Sequence, residues 1–269
     1  MKEFLHKTYK FSNSWTGTII IVLFVIFFIA QAFKIPSGSM KDSLLIGDHL
    51  FAKKFAYGIP MPHIPFLEVS IMPWSDRLRL MDGDTPKRGD IVIFRPPHNP
   101  KQHFVKRCVA LPGDELFISD KNLYLHHKEG DAWIEENFKG HEIVVFAGKL
   151  WVKNPYTKEH LGIHHDEKIT QNGQYPLPIF HFAPIRIDEN HYFMMGDNRD
   201  HSNDSRFWGA VPYENIEGTP WFVYFSIDDN WEIRWDRIGK TPTDLEGDVY
   251  LQKAIAERKK QDKDDYGIY

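Results

Sequence analysis

The chain has 269 residues, 42% apolar and 26% charged, a composition typical of globular proteins that excludes a chain disordered throughout. Its formal net charge of -4 gives no electrostatic reason to expect nucleic acid as a partner. The single cysteine, Cys108, excludes an intrachain disulfide, but the compartment stays open because cytosolic and exported proteins alike can fold without disulfides.

An apolar segment lies close to the N-terminus. Residues 19–30 form an unbroken apolar run, and a helix over 15–33 would span roughly 28 Å, close to the ~30 Å of a bilayer core. Three lysines precede this run against one glutamate, so the positive-inside bias predicts that residues 1–14 are cytoplasmic. A cleavable signal is the alternative, because residues 30–32, Ala-Gln-Ala, have a small-x-small pattern. Both interpretations send the remaining chain across a membrane.

Short runs of strand-forming residues replace the helical pattern after Phe33. Pro, Gly and Asp separate them, which predicts strands joined by turns and an all-β body. The predicted strands are 49–52, 90–94, 104–111, 142–146, 191–195 and 221–225.

Two connections are unusually long. Residues 58–86 contain apolar prolines, and they fit either a loop packed on the domain's own surface or an apolar lip at the membrane interface. Residues 120–190 are rich in His, Lys and aromatic residues, and we predict an inserted β subdomain there. The main body is thus divided into 34–119 and 191–240. Residues 241–269 are expected to form a charged C-terminal tail, of which 251–269 are expected to be helical or frayed and solvated.

Residues 33–40, Phe-Lys-Ile-Pro-Ser-Gly-Ser-Met, are typical of a turn. A nucleophilic serine also needs a tight turn that exposes its hydroxyl and leaves backbone N–H groups nearby for an oxyanion. Gly38 beside Ser39 supplies the backbone freedom for that arrangement. On its own, the segment fits both interpretations.

A lysine inside an apolar strand is unusual. Burial of the Lys106 ammonium would lower its pKa, and a neutral amine is a competent general base. The alternative is a lysine whose charged end extends to water. Cys108 follows on the same strand, and we interpret it as core packing because no base is assigned to it.

Residues 196–209 read Gly-Asp-Asn-Arg-Asp-His-Ser-Asn-Asp-Ser-Arg-Phe-Trp-Gly. The acidic spacing invites a calcium-loop interpretation, but counted from Asp200 the sixth position is Ser205 and the twelfth is Val211, which excludes an EF-hand. A polar loop held by Asp/Arg pairs is the better interpretation. The 14 histidines include the pair at 164–165, yet no spacing is convincing for zinc, so no metal is predicted.

Taken together, these segments resemble the type I signal peptidase family. The resemblance covers roughly residues 15–225, and 120–190 match only loosely. The motifs that carry it are Phe-x-Ile-Pro-Ser-Gly-Ser-Met at 33–40, Leu-Leu-x-Gly-Asp at 44–48, Lys-Arg-Gly-Asp-Ile-Val at 87–92, Lys-Arg-x-Val-x-Leu-Pro-Gly-Asp at 106–114 and Gly-Asp-Asn-Arg-Asp-x-Ser-x-Asp-Ser-Arg-x-Trp-Gly at 196–209.

The resemblance implies that Ser39 is the nucleophile and Lys106 its general base. Ser37 would add a hydroxyl to the oxyanion hole beside the Ser39 backbone N–H, and Ser202 would hydrogen-bond and orient the Lys106 amine. The residues implied to support the loop bearing Ser202 are Asp204 and Arg206.

The family's fold implies a mainly β, antiparallel, barrel-like sheet with one N-terminal transmembrane helix and the inserted β subdomain. An extended substrate would lie between residues 33–36 and 104–106 as an added strand, with small residues at the first and third positions before the cut. The positions matching the family's pocket walls are Phe33, Ile35, Pro36, Met40, Leu44, Leu50, Ile93, Phe104 and Val105.

The chain departs from the family pattern at Asp42, which replaces the proline of the usual Met-x-Pro-Thr-Leu and bears on the shape of the first pocket. The resemblance also favours an uncleaved anchor at 15–33, because cleavage after Ala32 would separate the enzyme from membrane-bound substrates. Residues 1–14 would then be cytoplasmic, and the catalytic domain would lie on the outer face of the plasma membrane.

The implied activity is endoproteolysis of the signal peptides of exported proteins after small-x-small sites, through an acyl-enzyme. No metal, organic cofactor or nucleic acid is implied, and the lipid bilayer is an expected partner. Two rivals remain: a specialised processing protease with a single partner, and a tethered β domain that binds extended peptides without cutting them.

Overall fold

The computed structural model describes residues 6, 9–64, 69–72, 74 and 79–247. Residues 248–269 of the expected tail, and parts of the 58–86 connection, lie outside the described residues. Within the described residues the protein is built from two antiparallel sheets, two short hairpins and several short helices.

The N-terminal helix is shorter than the sequence predicts. Helix α1 covers Trp15–Phe24, and its N-cap is Ser14, whose hydroxyl accepts from the Gly17 N–H at 3.0 Å. A π-helical segment, Val25–Ile29, follows, and the chain then becomes strand β1, Ala30–Lys34. The expectation of a helix to residue 33 is therefore wrong, because these residues pair with strand β2 instead. Across the described residues, no helix combines the length and apolar character needed to cross a bilayer.

Seven strands form the first sheet, and each strand pairs antiparallel with its neighbours in the sheet. Their order across the sheet is β1, β2 (Asp48–Lys53), β16 (Ile216–Ser226), β7 (Ile91–Phe94), β8 (Phe104–Ala110), β14 (His191–Met195) and β15 (Val211–Pro212). The sheet curls strongly: Phe33 of β1 touches His103 at the start of β8, with ring centroids 4.9 Å apart, although three other strands lie between β1 and β8 in the order. The end of β1 and the start of β8 therefore face each other, as the predicted barrel-like body requires.

The second sheet has five strands, most of which lie within residues 120–190, where an inserted β subdomain is expected. Its order is β11 (Ile143–Phe146), β12 (Lys149–Lys153), β10 (Asn122–His126), β9 (Glu115–Ser119) and β13 (Phe182–Arg186). It begins with β9, before the expected boundary at residue 120, because β9 and β10 form one hairpin across that boundary. Its inner face shares a core with the first sheet, where the buried residues include Val109, Leu116, Ile118, Leu125 and Phe193. The two sheets are thus packed together.

The 58–86 connection contains two hairpins: β3 (Gly58–Pro60) with β6 (Arg79–Asp82), and β4 (His63–Ile64) with β5 (Val69–Ser70). Trp74 is 78% exposed. The choice between a packed loop and a membrane lip stays a prediction.

The remaining helices are short: α2 (Asp131–Asn137), α3 (Leu177–Phe180), α4 (Ser205–Trp208) and α5 (Pro242–Leu245). There are 3-10 turns at Gly38–Met40, Arg199–His201, Tyr213–Asn215 and Trp235–Arg237. Helix α5 lies in the region expected to be the charged C-terminal tail, and its Leu245 is buried in the core. This residue packs with Leu50, Ile93 and Val223 of the first sheet.

Candidate active site

The turn that carries Ser39 is fixed to the sheet on both sides. The Ile35 N–H donates to the Asp48 carbonyl at 2.8 Å, and the Gly47 N–H donates to the Ile35 carbonyl at 3.1 Å. Gly47 has φ +87°, and a Cβ there would lie 1.9 Å from the Ile227 carbonyl oxygen, so only glycine fits. The buried Asp48 carboxylate accepts from Arg237 Nε at 2.9 Å. The Leu-Leu-x-Gly-Asp motif therefore holds the serine turn in place.

Ser39 and Lys106 form a buried pair. Lys106 Nζ donates to Ser39 Oγ at 2.5 Å and to the Val105 carbonyl at 3.2 Å. Ser39 is 8% exposed and Lys106 is 4% exposed. Burial lowers the pKa of Lys106 to about 8, against the opposing influence of nearby carboxylates. At neutral pH, about one unit below this pKa, a minor fraction of the Lys106 side chains is therefore unprotonated and able to accept the serine proton.

Ser37 lies at the mouth of the site. Its side chain is exposed, and its Oγ is 3.4 Å from Ser39 Oγ. The hydroxyl therefore lies on the same side of the turn as the predicted nucleophile, where an oxyanion could reach it.

The loop after β14 packs directly against the Ser39 turn. The Asn198 N–H donates to the Ser39 carbonyl at 3.1 Å, and the Asn198 side-chain amide donates to the Gly38 carbonyl at 3.1 Å. A Cβ on Gly196 would lie 2.3 Å from Ser202 Oγ and 2.5 Å from the Ser39 carbonyl oxygen. The loop can approach this closely because residue 196 has no side chain.

The predicted hydrogen bond from Ser202 to Lys106 is not formed in this structure. Ser202 is buried, and its Oγ has no hydrogen-bond partner of ordinary geometry within the described part of the chain. Its hydroxyl lies near Asp204, where it helps to lower the pKa of that carboxyl.

Asp204 and Arg206 form the predicted support of this loop. Arg206 donates from Nε and Nη2 to the two Asp204 oxygens, each at 2.8 Å, and the Gly196 N–H donates to Asp204 at 3.0 Å. Burial alone would raise the pKa of Asp204, but the Arg206 guanidinium holds it below its ordinary value. The carboxylate is therefore charged and ties both ends of the loop together.

Residues that the sequence analysis did not single out complete the site. Arg107 and Asp197 form a buried ion pair, with Nη2 to Oδ2 at 2.7 Å, and the Asp197 carboxylate also accepts from Ser43 Oγ at 2.5 Å. Asn198 holds the Ser39 turn directly. The available signal was that Arg107 and Asp197 occur in two of the family motifs, one on β8 and the other directly after the neighbouring strand β14.

The predicted pocket residues fall into three groups. Five of them are buried in one cluster: Ile35, Met40, Leu44, Leu50 and Ile93. Phe33 and Val105 are partly exposed and pack against this cluster. Phe104 packs in a neighbouring cluster, and Pro36 is exposed. Contact of these residues with a substrate stays a prediction, and the five buried ones lie beneath the surface that a substrate would touch.

Among the described residues, Asp114, His127 and Glu129 bring potential metal-ligand atoms within 4.8 Å of one another. The Arg88 guanidinium already donates to Asp114 at 2.8 Å and to Glu129 at 2.8 Å. A cation would have to displace this arginine, so the donor set suits an ion-pair cluster, and we assign no metal there.

Comparison with known proteins agrees with the motifs. The family profile described as signal peptidase, peptidase S26, matches residues 9–225. Signal peptidase I of Helicobacter pylori is 42% identical, over 94% of this chain and 99% of its own length. The Signal peptidase I of Pseudomonas fluorescens is 34% identical, over 81% of this chain and 72% of its own. The chain therefore belongs to the type I signal peptidase family of serine peptidases.

Proposed function

We propose that this protein is a membrane-anchored endopeptidase that removes N-terminal signal peptides from exported proteins through a Ser39/Lys106 dyad. The observation that carries the proposal is the 2.5 Å hydrogen bond between Lys106 Nζ and Ser39 Oγ in a buried site. The relatives named Signal peptidase I support the substrate class.

The chemistry follows from the lowered pKa of the lysine. Neutral Lys106 accepts the Ser39 proton as Oγ attacks the carbonyl carbon of the scissile peptide bond. The peptide C–N bond then breaks, the leaving amine takes the proton from Lys106, and an acyl-enzyme remains on Ser39. Lys106 next deprotonates a water molecule that attacks the ester, and the proton returns to Ser39. The Ser37 hydroxyl and the Ser39 N–H would donate to the developing oxyanion.

The substrate would bind as an added strand between the end of β1 and the start of β8. Strand β1 lies at the edge of the first sheet, so its outer backbone groups are able to pair with an extended peptide. Ile35 and Leu44 expose 3% or less of their surface, so the floor beneath the peptide is closely packed. Such a floor favours small side chains at the positions that point into it.

A bilayer is the environment that best suits helix α1. Five consecutive side chains on it, Ile19 to Leu23, are each at least 42% exposed, so apolar groups face outward around the helix. Helices that are apolar on all sides are stable in protein cores or in lipid. With the basic N-terminal segment on the cytoplasmic side, the catalytic domain would lie on the outer face of the plasma membrane.

The test is cleavage of a precursor whose signal ends in Ala-x-Ala, with the full-length protein in detergent. Ser39→Ala should abolish cleavage, because loss of a nucleophile removes the whole catalytic unit. Ser119→Ala, on the second sheet, is the matched control and should cut normally. N-terminal sequencing of the product locates the cut. Cleavage by the Ser39 variant at the control's rate would show that the dyad is wrongly assigned.

A further inference from the structure

Arg107 follows the proposed base directly in β8, and its guanidinium is buried. It is 1% exposed and makes four hydrogen bonds. Nε and Nη2 donate to Asp197 at 2.8 and 2.7 Å, Nη1 donates to the Gly89 carbonyl at 2.6 Å, and Nη2 also donates to Glu246 Oε1 at 2.6 Å. One arginine thus joins two carboxylates from distant parts of the chain.

Glu246 and His160 enclose the outer side of this arginine. The second oxygen of Glu246, Oε2, lies 2.6 Å from His160 Nδ1. The His160 ring lies over Gly89, where a Cβ would be 2.8 Å from Nε2. Glu246 follows helix α5 and His160 belongs to the insertion, so both lie outside the motifs shared with the family. They form a clamp, Glu246–His160, that holds Arg107 against Gly89.

Arg107 is connected to the reacting groups along two routes. It shares the backbone of β8 with Lys106. Through Asp197, it also fixes the loop whose next residue, Asn198, donates its backbone N–H to the Ser39 carbonyl. A displacement of the guanidinium would therefore move the base and the nucleophile relative to each other.

We propose that Glu246 and His160 are positioning residues that fix the Ser39/Lys106 pair by clamping Arg107. This inference rests on the proposed function, because it assumes that the pair performs the chemistry. Loss of Glu246 leaves a buried guanidinium with one carboxylate and an unpaired N–H, which favours a shift of Arg107 and Asp197. Misalignment of a catalytic pair reduces turnover far more than it affects substrate binding.

Loss of this carboxylate should also alter the protonation of the base. The charged groups that act on the pKa of Lys106 are Asp204 and Asp197, which favour its ammonium, and Arg206, which disfavours it. Without Glu246, Arg107 is neutralised by Asp197 alone, so the surroundings of Lys106 become more positive. The neutral amine is then favoured, and the acidic limb of kcat/KM should move to lower pH.

The experiment compares Glu246→Ala, Glu246→Gln and His160→Gln with Glu142→Gln in the full-length protein. Glu142 forms an exposed ion pair with Lys153 on the second sheet and serves as the matched control. We expect Glu246→Ala to lower kcat at least about tenfold, with KM within about twofold and the acidic limb lower by a few tenths of a pH unit. Glu246→Gln keeps an acceptor for Arg107 and tests the charge alone if the alanine variant fails to fold.

An unchanged kcat and acidic limb in the Glu246 variants would overturn the inference, as would a rise in KM alone or a lower Tm without any loss of kcat per folded enzyme. Ser39→Ala, measured in the same assay, separates the two levels of the argument. If that variant is inactive while the Glu246 variants behave as wild type, only the clamp is wrong. If it remains active, the proposed function is wrong as well.

Discussion

Replacement of Lys106 by methionine should make the protein more stable at neutral pH and less stable at high pH. Methionine has a similar length but carries no charge, so Lys106→Met removes the buried ammonium without leaving a large cavity. The prediction depends on the same low pKa that the proposed catalysis requires, and it can be tested without a substrate.

The magnitude follows from the two ends of the titration. The lysine keeps its proton up to about pH 10.5 in the unfolded chain but only to about pH 8 in the folded protein. Since the unfolded state binds more protons between these values, wild-type stability rises as pH increases from about 8 to 10.5, and below 8 the penalty is present in full. At 1.36 kcal/mol per pKa unit this penalty is roughly 3 kcal/mol.

The substitution also has a cost. Methionine cannot donate to Ser39 Oγ or to the Val105 carbonyl. The loss of these two hydrogen bonds offsets roughly 1 to 2 kcal/mol of the gain. At pH 7 the variant should therefore be more stable by roughly 1 to 2 kcal/mol, and near pH 10.5 it should be less stable by a similar amount.

The assay is chemical denaturation of wild type and Lys106→Met at several pH values between 6 and 10.5 in the same detergent. All other titrating groups are common to both proteins, so the difference in unfolding free energy isolates Lys106. A difference that does not vary with pH, or a variant that is less stable at pH 7, would show that burial does not lower the pKa of Lys106 in the folded protein.

Three further predictions concern the surroundings of the pair. Gly196→Ala should lower kcat roughly a hundredfold, because its Cβ would meet the Ser202 hydroxyl and the Ser39 carbonyl; kinetics with a short peptide would measure this. Cys108→Ala should keep its activity, and the native thiol should resist iodoacetamide in mass spectrometry, since burial raises the pKa of Cys108. Asp204→Asn should lower the free energy of unfolding by about 3 to 5 kcal/mol in denaturant titrations, because it leaves a buried arginine unpaired.

Five strands of the first sheet and one of the second could be predicted from local pattern. All six predicted strands are present, and 191–195 has the same ends as β14. The largest error is at 221–225, which covers only the second half of β16. Gly218 and Pro220 interrupt the apolar pattern in the first half, and the strand accommodates them through irregular pairing on both of its neighbours.

The end of the N-terminal helix could not be predicted from the same kind of pattern. Residues 30–33 are Ala-Gln-Ala-Phe, and apart from the single glutamine nothing local separates them from the apolar run before them. They form a strand because β2 lies beside them, with Ala30 opposite Lys53 and Phe33 opposite Leu50. Local periodicity does not show which distant segment of the chain a residue will pair with.

The proximity of the two proposed catalytic residues was predictable from the sequence, and the contacts that support them were less so. Ser39 and Lys106 lie together as the motifs implied, and the Asp204–Arg206 pair holds its loop. The contact of Glu246 with Arg107 was not foreseen, because Glu246 lies in the segment expected to be the charged C-terminal tail. A buried ion pair forms where two distant segments of the chain meet in the fold. The charge pattern within one segment does not predict where that contact will be.

Asp42 shows how the departure from the family pattern is accommodated. Its φ is +75°, whereas a proline ring holds φ near −65°, so the usual proline cannot occupy this backbone conformation. The Asp42 carboxylate lies 3.3 Å from His164 Nδ1, and the backbone of His164 is bonded to Asp197 and Arg199 of the active-site loop. The inserted subdomain thus supplies the partner for the residue that replaces proline. The turn bearing Ser39 is therefore in contact with the insertion through Asp42 and His164, and the two features occur together in this chain.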